Sequence, residues 1–310
     1  MSEVIIAGVG AVPVGEHWEL TLENLASKAM LAAMREAGVM RPQAMYVGNL
    51  LASSLSQQAN LGARLASNIG QQGIETFTTE AGEASGAAAL RLGYLAIKSG
   101  LVESALVVGV EKYTDMVGPE VDGIVAQAAD FDFESTQGLT PYGLAGMLMQ
   151  RYLDLYQAPR AAFSVLPLLA HANAVHNPYA MYRKAVDPAA YEHAPLVCDP
   201  LNLYDVAPFA DGAAALLLVS DKVLFRSRQV KPVRIASSTI SIDALALHDR
   251  PDPLAFNAAA QSVLKALQNA NTDWDNVDLF ELWDAASIYS ILTLEACGFA
   301  ARGEGWRWLQ

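Results

Sequence analysis

Basic residues are scarce in this chain. Lys and Arg total 20 against 33 Asp and Glu, a formal net charge of −13 over 310 residues. Nucleic-acid binding needs clustered Lys and Arg, and an anionic membrane surface attracts the same residues, so both partners are excluded as expectations. A small local basic patch for an anionic substrate stays open. Cysteine is scarcer still. Two residues, Cys198 and Cys297, make neither a disulfide framework nor a zinc site. The first residues, Met1 to Ile6, lack the basic and long apolar regions of a signal peptide. No run approaches the roughly 18 uncharged apolar residues of a membrane span. A reduced, soluble, cytoplasmic protein without membrane insertion is expected. Charged residues make up only 17% of the chain, against about 25% in ordinary globular domains, while hydrophobic residues reach 53%. That balance excludes disorder and suits a large core or a chain that hides surface against another.

The first part alternates strand and helix signals. Val4 to Val9 reads as a buried strand that ends in a turn at Gly8 and Gly10. Thr21 is a candidate cap for a helix carrying Leu22, Leu25, Ala26, Ala29, Ala32, Ala33 and Ala37, with Gly38 as its stop. Met45 to Asn49 reads as strand, Gln57 to Ile69 as helix, and Thr76 to Thr79 as strand. A helix follows Glu80-Ala81-Gly82-Glu83-Ala84-Ser85-Gly86 and runs to a stop near Ser99-Gly100. Its side chains are small all round, which predicts close packing on several faces. Ala105 to Val110 is a continuous apolar strand of the parallel-sheet kind. The β-α-β-α-β-α-β order predicts a layered α/β fold with right-handed crossovers.

From about residue 117 to 205 the texture becomes irregular, richer in Gly, Pro, Asp and Tyr, with helices at Pro141–Gln157 and Arg160–His176. Long irregular stretches inside a compact fold are usually functional, so this reads as an insertion with substrate contacts. Asp211-Gly212 reads as a turn into a buried strand, Ala213 to Val219. Residues 1–230 then form one half and 231–310 begin a second. In the second, Val233 to Ile242 and Val277 to Leu282 read as strands, and Pro253–Asn269 and Asp284–Cys297 as helices, with Gly298 as a stop. Two strands would leave an unpaired edge and an uncovered apolar face, which predicts burial against a partner chain.

Five segments occur in a telling order. They are Glu80 to Ala88 with Val108-Gly109-Val110-Glu111-Lys112; His176-Asn177-Pro178-Tyr179-Ala180; Cys198-Asp199-Pro200-Leu201; Asp211-Gly212-Ala213-Ala214-Ala215; and Phe280-Glu281-Leu282-Trp283-Asp284-Ala285-Ala286. Together they resemble the thiolase superfamily, nearest its sterol-carrier or lipid-transfer branch. The resemblance implies an αβαβα layered fold of two similar halves, the second stopping short here, with a loop domain inserted in the first. It implies an acyltransferase of the acetyl-CoA acetyltransferase kind, linked to lipid metabolism, with coenzyme A thioesters as substrate or ligand and no separate cofactor or metal. It also implies a homodimer or tetramer.

In active relatives a cysteine at a helix start takes the acyl group, a His from a later Gly-His-Pro segment activates it, and a second late Cys acts as acid and base. The physics is plain: a helix N-terminus lowers a thiol pKa, and its N–H groups suit an oxyanion. This chain departs at each of those positions. Glu83 stands where the cysteine is wanted, Trp283 where an Asn or His is wanted, and the Gly-His-Pro segment and late Cys would lie beyond Gln310.

Glu83 therefore reads first as a carboxylate filling a silent nucleophile position, where the helix dipole stabilises it. The sharper alternative is an active base or acyl acceptor. Trp283 packs, or aims its indole N–H at a thioester carbonyl. Ser85, Gly86, His176, Asn177 and Met147 are the candidate substrate contacts; His176 reads equally as a helix-end residue and Met147 as helix packing. Arg151, Arg160, Arg183 and Lys184 are candidates for a coenzyme A phosphate or for solvated faces.

Three functions follow. The first is a thiolase-like protein that binds an acyl-CoA or serves as a non-catalytic partner subunit. The second is a cysteine-free retro-aldol lyase on CoA thioesters, working with a zinc-ribbon/OB partner protein, with Tyr113, Tyr142 or Tyr289 as acid–base groups. The third is a truncated product of an active gene.

Overall fold

The computed structural model describes residues 2–39, 41–223 and 233–310. The expected boundary between residues 230 and 231 lies outside the described residues. The chain divides into two compact units, Met1–Ile124 with Phe209–Ser238 and Val125–Pro208 with Thr239–Gln310. The described residues form eight strands: β1 (Val4–Ala11), β2 (Ala44–Gly48), β3 (Glu75–Thr79), β4 (Ser104–Glu111), β5 (Leu196–Cys198), β6 (Leu201–Asn202), β7 (Gly212–Ser220) and β8 (Val233–Arg234).

The first unit is built on a six-stranded sheet in the order β3-β2-β4-β7-β1-β8. Strand β2 runs parallel to β3 and β4, while β7 runs antiparallel to both β4 and β1. The sheet is thus mixed rather than wholly parallel. The reason lies in the connection: β7 is reached after the long 112–211 segment and not through a single crossover helix, so nothing forces it parallel. Alternate residues serve opposite faces, as the pleat requires. Met45 and Val47 join one core cluster with the Leu22–Ala37 helix, and Ala44 and Tyr46 join another with the Ser85–Ser99 helix.

Local signals explain several of these elements. Thr21 caps the Leu22–Ala37 helix by accepting from the Asn24 N–H, and Gly38 ends it at φ 68°. Gly100 ends the Ser85–Ser99 helix at φ 82°. Gly8 and Gly10, in contrast, do not make a turn. They lie inside β1, where added β-carbons would sit 2.2 Å from the Ala33 carbonyl oxygen and 2.1 Å from that of Ala29. Glycine is there because the strand lies backbone-to-backbone on the helix. The Gln57–Ile69 helix is also shorter than expected, spanning Leu61–Asn68. Gln57 and Asn60 both have φ 53°, a conformation that cannot continue into a right-handed helix. Small side chains do not bury the Ser85–Ser99 helix all round either. Ser85, Ala88, Ala89, Gly93, Ala96 and Ile97 are buried, and Gly86, Ala87 and Leu95 are exposed.

Asp211 is the polar centre of this unit and is fully buried. It accepts hydrogen bonds from the His17 N–H at 2.8 Å, the Thr114 N–H at 3.0 Å and the Thr114 hydroxyl at 2.6 Å. The Lys112 ammonium, itself buried, lies 3.4 Å from Asp211 and 3.4 Å from Asp115. The pair Asp211-Gly212, read from sequence as a turn, instead leads straight into β7: Asp211 is buried and bridges to Gly15, and Gly212 is the first strand residue.

The second unit has its own core. Tyr152 and Phe163 pack with Ile288, Ile291 and Leu292. Thr140 caps the Pro141–Tyr156 helix by accepting from the Gly143 N–H. A 3-10 turn, Arg160–Ser164, precedes the Val165–Ala174 helix where one helix was expected. The strand expected at residues 277–282 is absent, and of 233–242 only β8 is strand. The cause is a missing ladder: β8 pairs with β1, whereas 277–282 has no neighbouring strand among the described residues to take its backbone groups. Helices form regardless, because their hydrogen bonds are internal: Asn257–Ala270 and Ser287–Ala296 stand where helices were expected, with Gly298 at φ 85° after the second.

Asp211 generates a prediction. Burial acts to raise its pKa, but the hydrogen bonds from Thr114 and His17 and the Lys112 charge outweigh it and hold the carboxyl below its usual value. A lowered folded-state value means stability that is present above about pH 4, the unfolded value, and lost as the pH falls through the lowered one. Asp211→Asn is expected to cost about 3 kcal/mol at pH 7, because it leaves a buried ammonium short of its partner. Urea unfolding from pH 7 to pH 3 should show the gap between variant and parent narrowing in acid; a constant gap would count against the ionised pair.

Candidate functional site

In the first unit, the segment Glu80 to Gly86 forms a tight turn that feeds the Ser85–Ser99 helix. The Ser85 hydroxyl closes it, accepting from the Ala81 N–H at 3.0 Å and donating to the Gly82 carbonyl at 2.5 Å. Gly82 takes φ 58°, and its N–H is held by the Glu80 carboxylate. The turn sits where it does because β2 ends in a residue without a side chain. A β-carbon on Gly48 would lie 2.5 Å from the Ser85 carbonyl oxygen, and one on Gly93 would lie 2.8 Å from Val107. The helix therefore starts over the carboxyl ends of β2 and β4, the end of an open α/β sheet where ligands bind.

Glu83 is exposed in that turn, two residues before the helix begins, and Ala84 supplies no side-chain cap. A carboxylate so placed meets the positive end of the helix dipole. Gly86 is exposed, with open space where a side chain would point. Behind the turn, Glu111 at the end of β4 accepts from the Asn49 amide at 2.9 Å and the N–H groups of Leu50 and Leu51 at 3.1 and 3.3 Å. Burial nonetheless pushes its carboxyl above the usual range. Tyr113 stacks on Phe209 with ring centres 5.0 Å apart.

The remaining candidates belong to the second unit. Trp283 is not core: it is 43% exposed and stacks on Tyr289 at 4.2 Å and 10°. His176 and Asn177 sit in the exposed turn after the Val165–Ala174 helix, and Asn177 Oδ1 accepts from the Tyr179 N–H at 2.9 Å. Met147 is exposed on its helix, while Leu148 and Met149 fill the core. Tyr142 donates to the Ala207 carbonyl at 2.7 Å. Thus Glu83, Ser85 and Gly86 share one turn, His176 and Asn177 share another, and Met147 and Trp283 stand on separate elements.

Sequence reasoning missed the buried node of this unit. Asp205 accepts from Tyr191 and Ser287 hydroxyls, each at 2.9 Å, and from the Asn202 N–H at 2.9 Å. Arg160 pairs with it at 3.3 Å and lies over the Tyr191 ring. Arg160 is therefore committed to a protein carboxylate, which counts against its expected phosphate role. Its only sequence signal is an Asp between Tyr204 and a β-branched residue. Two cavities open in this unit, of about 570 and 380 Å³, both lined by His171 and Tyr204. Among the described residues no group of His, Cys, Asp and Glu is placed to hold a metal ion, and no helix is long and apolar enough to cross a membrane.

Comparison with known proteins agrees with this geometry. Residues 4–222 match the family described as thiolase, N-terminal domain, and residues 240–310 match thiolase C-terminal domain-like. The chain is 34% identical to the acetyl-CoA acetyltransferase of Methanothermobacter thermautotrophicus over 99% of its own length and 80% of the relative's. It is 26% identical to a benzoylsuccinyl-CoA thiolase subunit of Thauera aromatica, over 99% of this chain and 78% of that one. Its fold superposes on the Ltp2-ChsH2(DUF35) aldolase with a TM-score of 0.83, covering 99% of this chain and 80% of that one, at 20% identity. The mixed α/β sheet, the helix start over its strand ends and these matches along nearly the whole chain lead to one assignment: the chain belongs to the thiolase family.

Proposed function

We propose that this thiolase-family chain binds an acyl-CoA without performing cysteine-dependent thiolysis or condensation, acting as an acyl-CoA binder or as a non-catalytic partner subunit. One observation carries the reading: Glu83 stands exposed in the turn before the Ser85–Ser99 helix, and we take this as the position where the family's chemistry uses a thiolate. A carboxylate is a far weaker acyl acceptor than a thiolate, and its acyl product would be a reactive anhydride. Neither cysteine substitutes. Cys297 is buried, and burial pushes its thiol up to about 11. Cys198 packs against the Pro141–Tyr156 helix at Gly146, where a β-carbon would lie 2.9 Å from its sulfur. The relatives named acetyl-CoA acetyltransferase support the ligand class. In the first unit the acyl-CoA would meet the Glu83 turn, with Ser85 and Gly86 as the proposed contacts.

A second reading is favoured by the fold likeness to the Ltp2-ChsH2(DUF35) aldolase: a cysteine-free lyase that cleaves β-hydroxyacyl-CoA thioesters by retro-aldol chemistry with a zinc-ribbon/OB partner. Self-association is also proposed. Ile240, Ile242, Leu245, Leu264 and Leu279, all in the second unit, leave large apolar surface in water.

Titration calorimetry with acetyl-CoA and with coenzyme A should give saturable heat, while acetoacetyl-CoA plus coenzyme A should show no loss of the enolate absorbance of the 3-oxoacyl thioester. Absence of heat would defeat the binding reading, and steady thiolysis would defeat the inactivity. Aldol cleavage that appears only with a zinc-ribbon partner would move the assignment to the lyase. Glu83→Cys should create a thiol that iodoacetamide alkylates at pH 7 several-fold faster than free cysteine, since the helix start lowers its pKa. Cys297 should stay unmodified in the folded protein; equal labelling of the two would mean that position 83 lacks the expected field. Multi-angle light scattering is expected to give at least twice the 33.1 kDa chain mass, and a monodisperse 33 kDa species would rule out self-association.

A further inference from the structure

The larger of the two cavities described in the second unit has a volume of about 570 Å³. Three tyrosines, Tyr142, Tyr182 and Tyr204, meet His171 there, and the remaining wall is mostly aliphatic. Tyr182, Val197 and Leu203 keep 52%, 41% and 52% of their surface exposed. Apolar and aromatic side chains left open in a concave site mark ligand binding, and this volume suits a ligand with more than one ring.

The polar groups narrow the class. The wall contains one cation, Lys184, and one acid, Asp187. Asp187 caps the Pro188–Glu192 helix, its Oδ1 accepting from the Ala190 N–H at 2.8 Å. Lys184 has no ion pair among the described residues, in a chain with 33 acidic side chains. Its main chain is pinned, because the Lys184 carbonyl bonds His171 Nδ1 at 3.1 Å. His171 in turn stands edge-on to Tyr204, with ring centres 5.5 Å apart. Lys184 is therefore anchored through its main chain at the aromatic wall, and its exposed side chain makes no ion pair among the described residues.

We propose that this cavity binds an aromatic carboxylate: a planar apolar ring system between the tyrosines, with its single negative charge at Lys184. Rings stack or meet edge-on with tyrosine faces, and a charge-assisted contact to the ammonium fixes the orientation. A nucleotide shares the chemistry of ring plus anion, but it suits the site less. One cation balances one charge, and a bisphosphate would place uncompensated charge beside Asp187. The proposal does not depend on the acyl-CoA reading, because the probe carries no coenzyme A.

The test is calorimetric titration of the full chain with 2-naphthoate, with the neutral 2-naphthalenemethanol, and with adenosine 3′,5′-bisphosphate. The expected result is one saturable site for 2-naphthoate and weaker binding of the other two. Lys184→Met should weaken 2-naphthoate about tenfold and leave 2-naphthalenemethanol unchanged, as loss of one charge-assisted bond predicts. Tyr182→Ala should weaken both naphthalenes. Both positions are open to solvent, so folding is not at stake, and Lys222→Met in the first unit serves as the control for general charge. No binding of 2-naphthoate, equal loss with Lys222→Met, or tighter binding of the bisphosphate would each overturn the proposal. Failure here with retained acetyl-CoA binding would leave the acyl-CoA reading standing, and the reverse pattern would separate the two in the other direction.

Discussion

The Ser85 carbonyl occupies the space that a side chain on Gly48 would need. That backbone contact sets the position of the Glu80–Gly86 turn. Strand β2 ends in a glycine, the Ser85–Ser99 helix settles directly on it, and Gly93 repeats the device against Val107. Protein interiors are packed too tightly to absorb an added carbon at 2.5 Å without moving one of the elements. The turn from Glu80 to Gly86, closed by the Ser85 hydroxyl, is carried with the helix. Position 83 lies in that turn, exposed just before the helix, and carries a carboxylate.

Each unit is then organised around a buried carboxylate with a basic partner. Asp211 gathers Lys112, Thr114 and the His17 backbone in the first, and Asp205 gathers Arg160, Tyr191 and Ser287 in the second. Burying a charge is costly unless it is paired and hydrogen-bonded, so both nodes bring together segments far apart in the chain. This also explains part of the chain's charge pattern. With only 20 basic residues, two are committed to internal partners, while Lys184 stays exposed at the aromatic cavity of the second unit.

Much of this was legible in the sequence. The order of five motifs is enough to place the chain among thiolases, because order along the chain is read directly from the sequence. Thr21, Gly38 and Gly100 mark their helix ends because capping is local. The failures share a cause. Gly8 and Gly10 resemble a turn until the helix that lies on them is in view. Gln57 carries no signal for its positive φ, and at Asn60 the tolerance of Asn for that region is a preference that does not compel it. Val277 to Leu282 has strand composition, yet a strand exists only with a neighbour to bond.

The sequence by itself determined the family and several helix ends, since these depend on motif order, short-range geometry and side-chain chemistry. Only the tertiary structure decided which apolar segments became strands, which of the acidic residues were buried as nodes, and that Tyr142, His171, Tyr182, Lys184 and Tyr204 line one cavity. The physical reason is that hydrogen-bond ladders, ion pairs and cavities are made between segments distant in the chain, and their energies depend on a partner that no local pattern names.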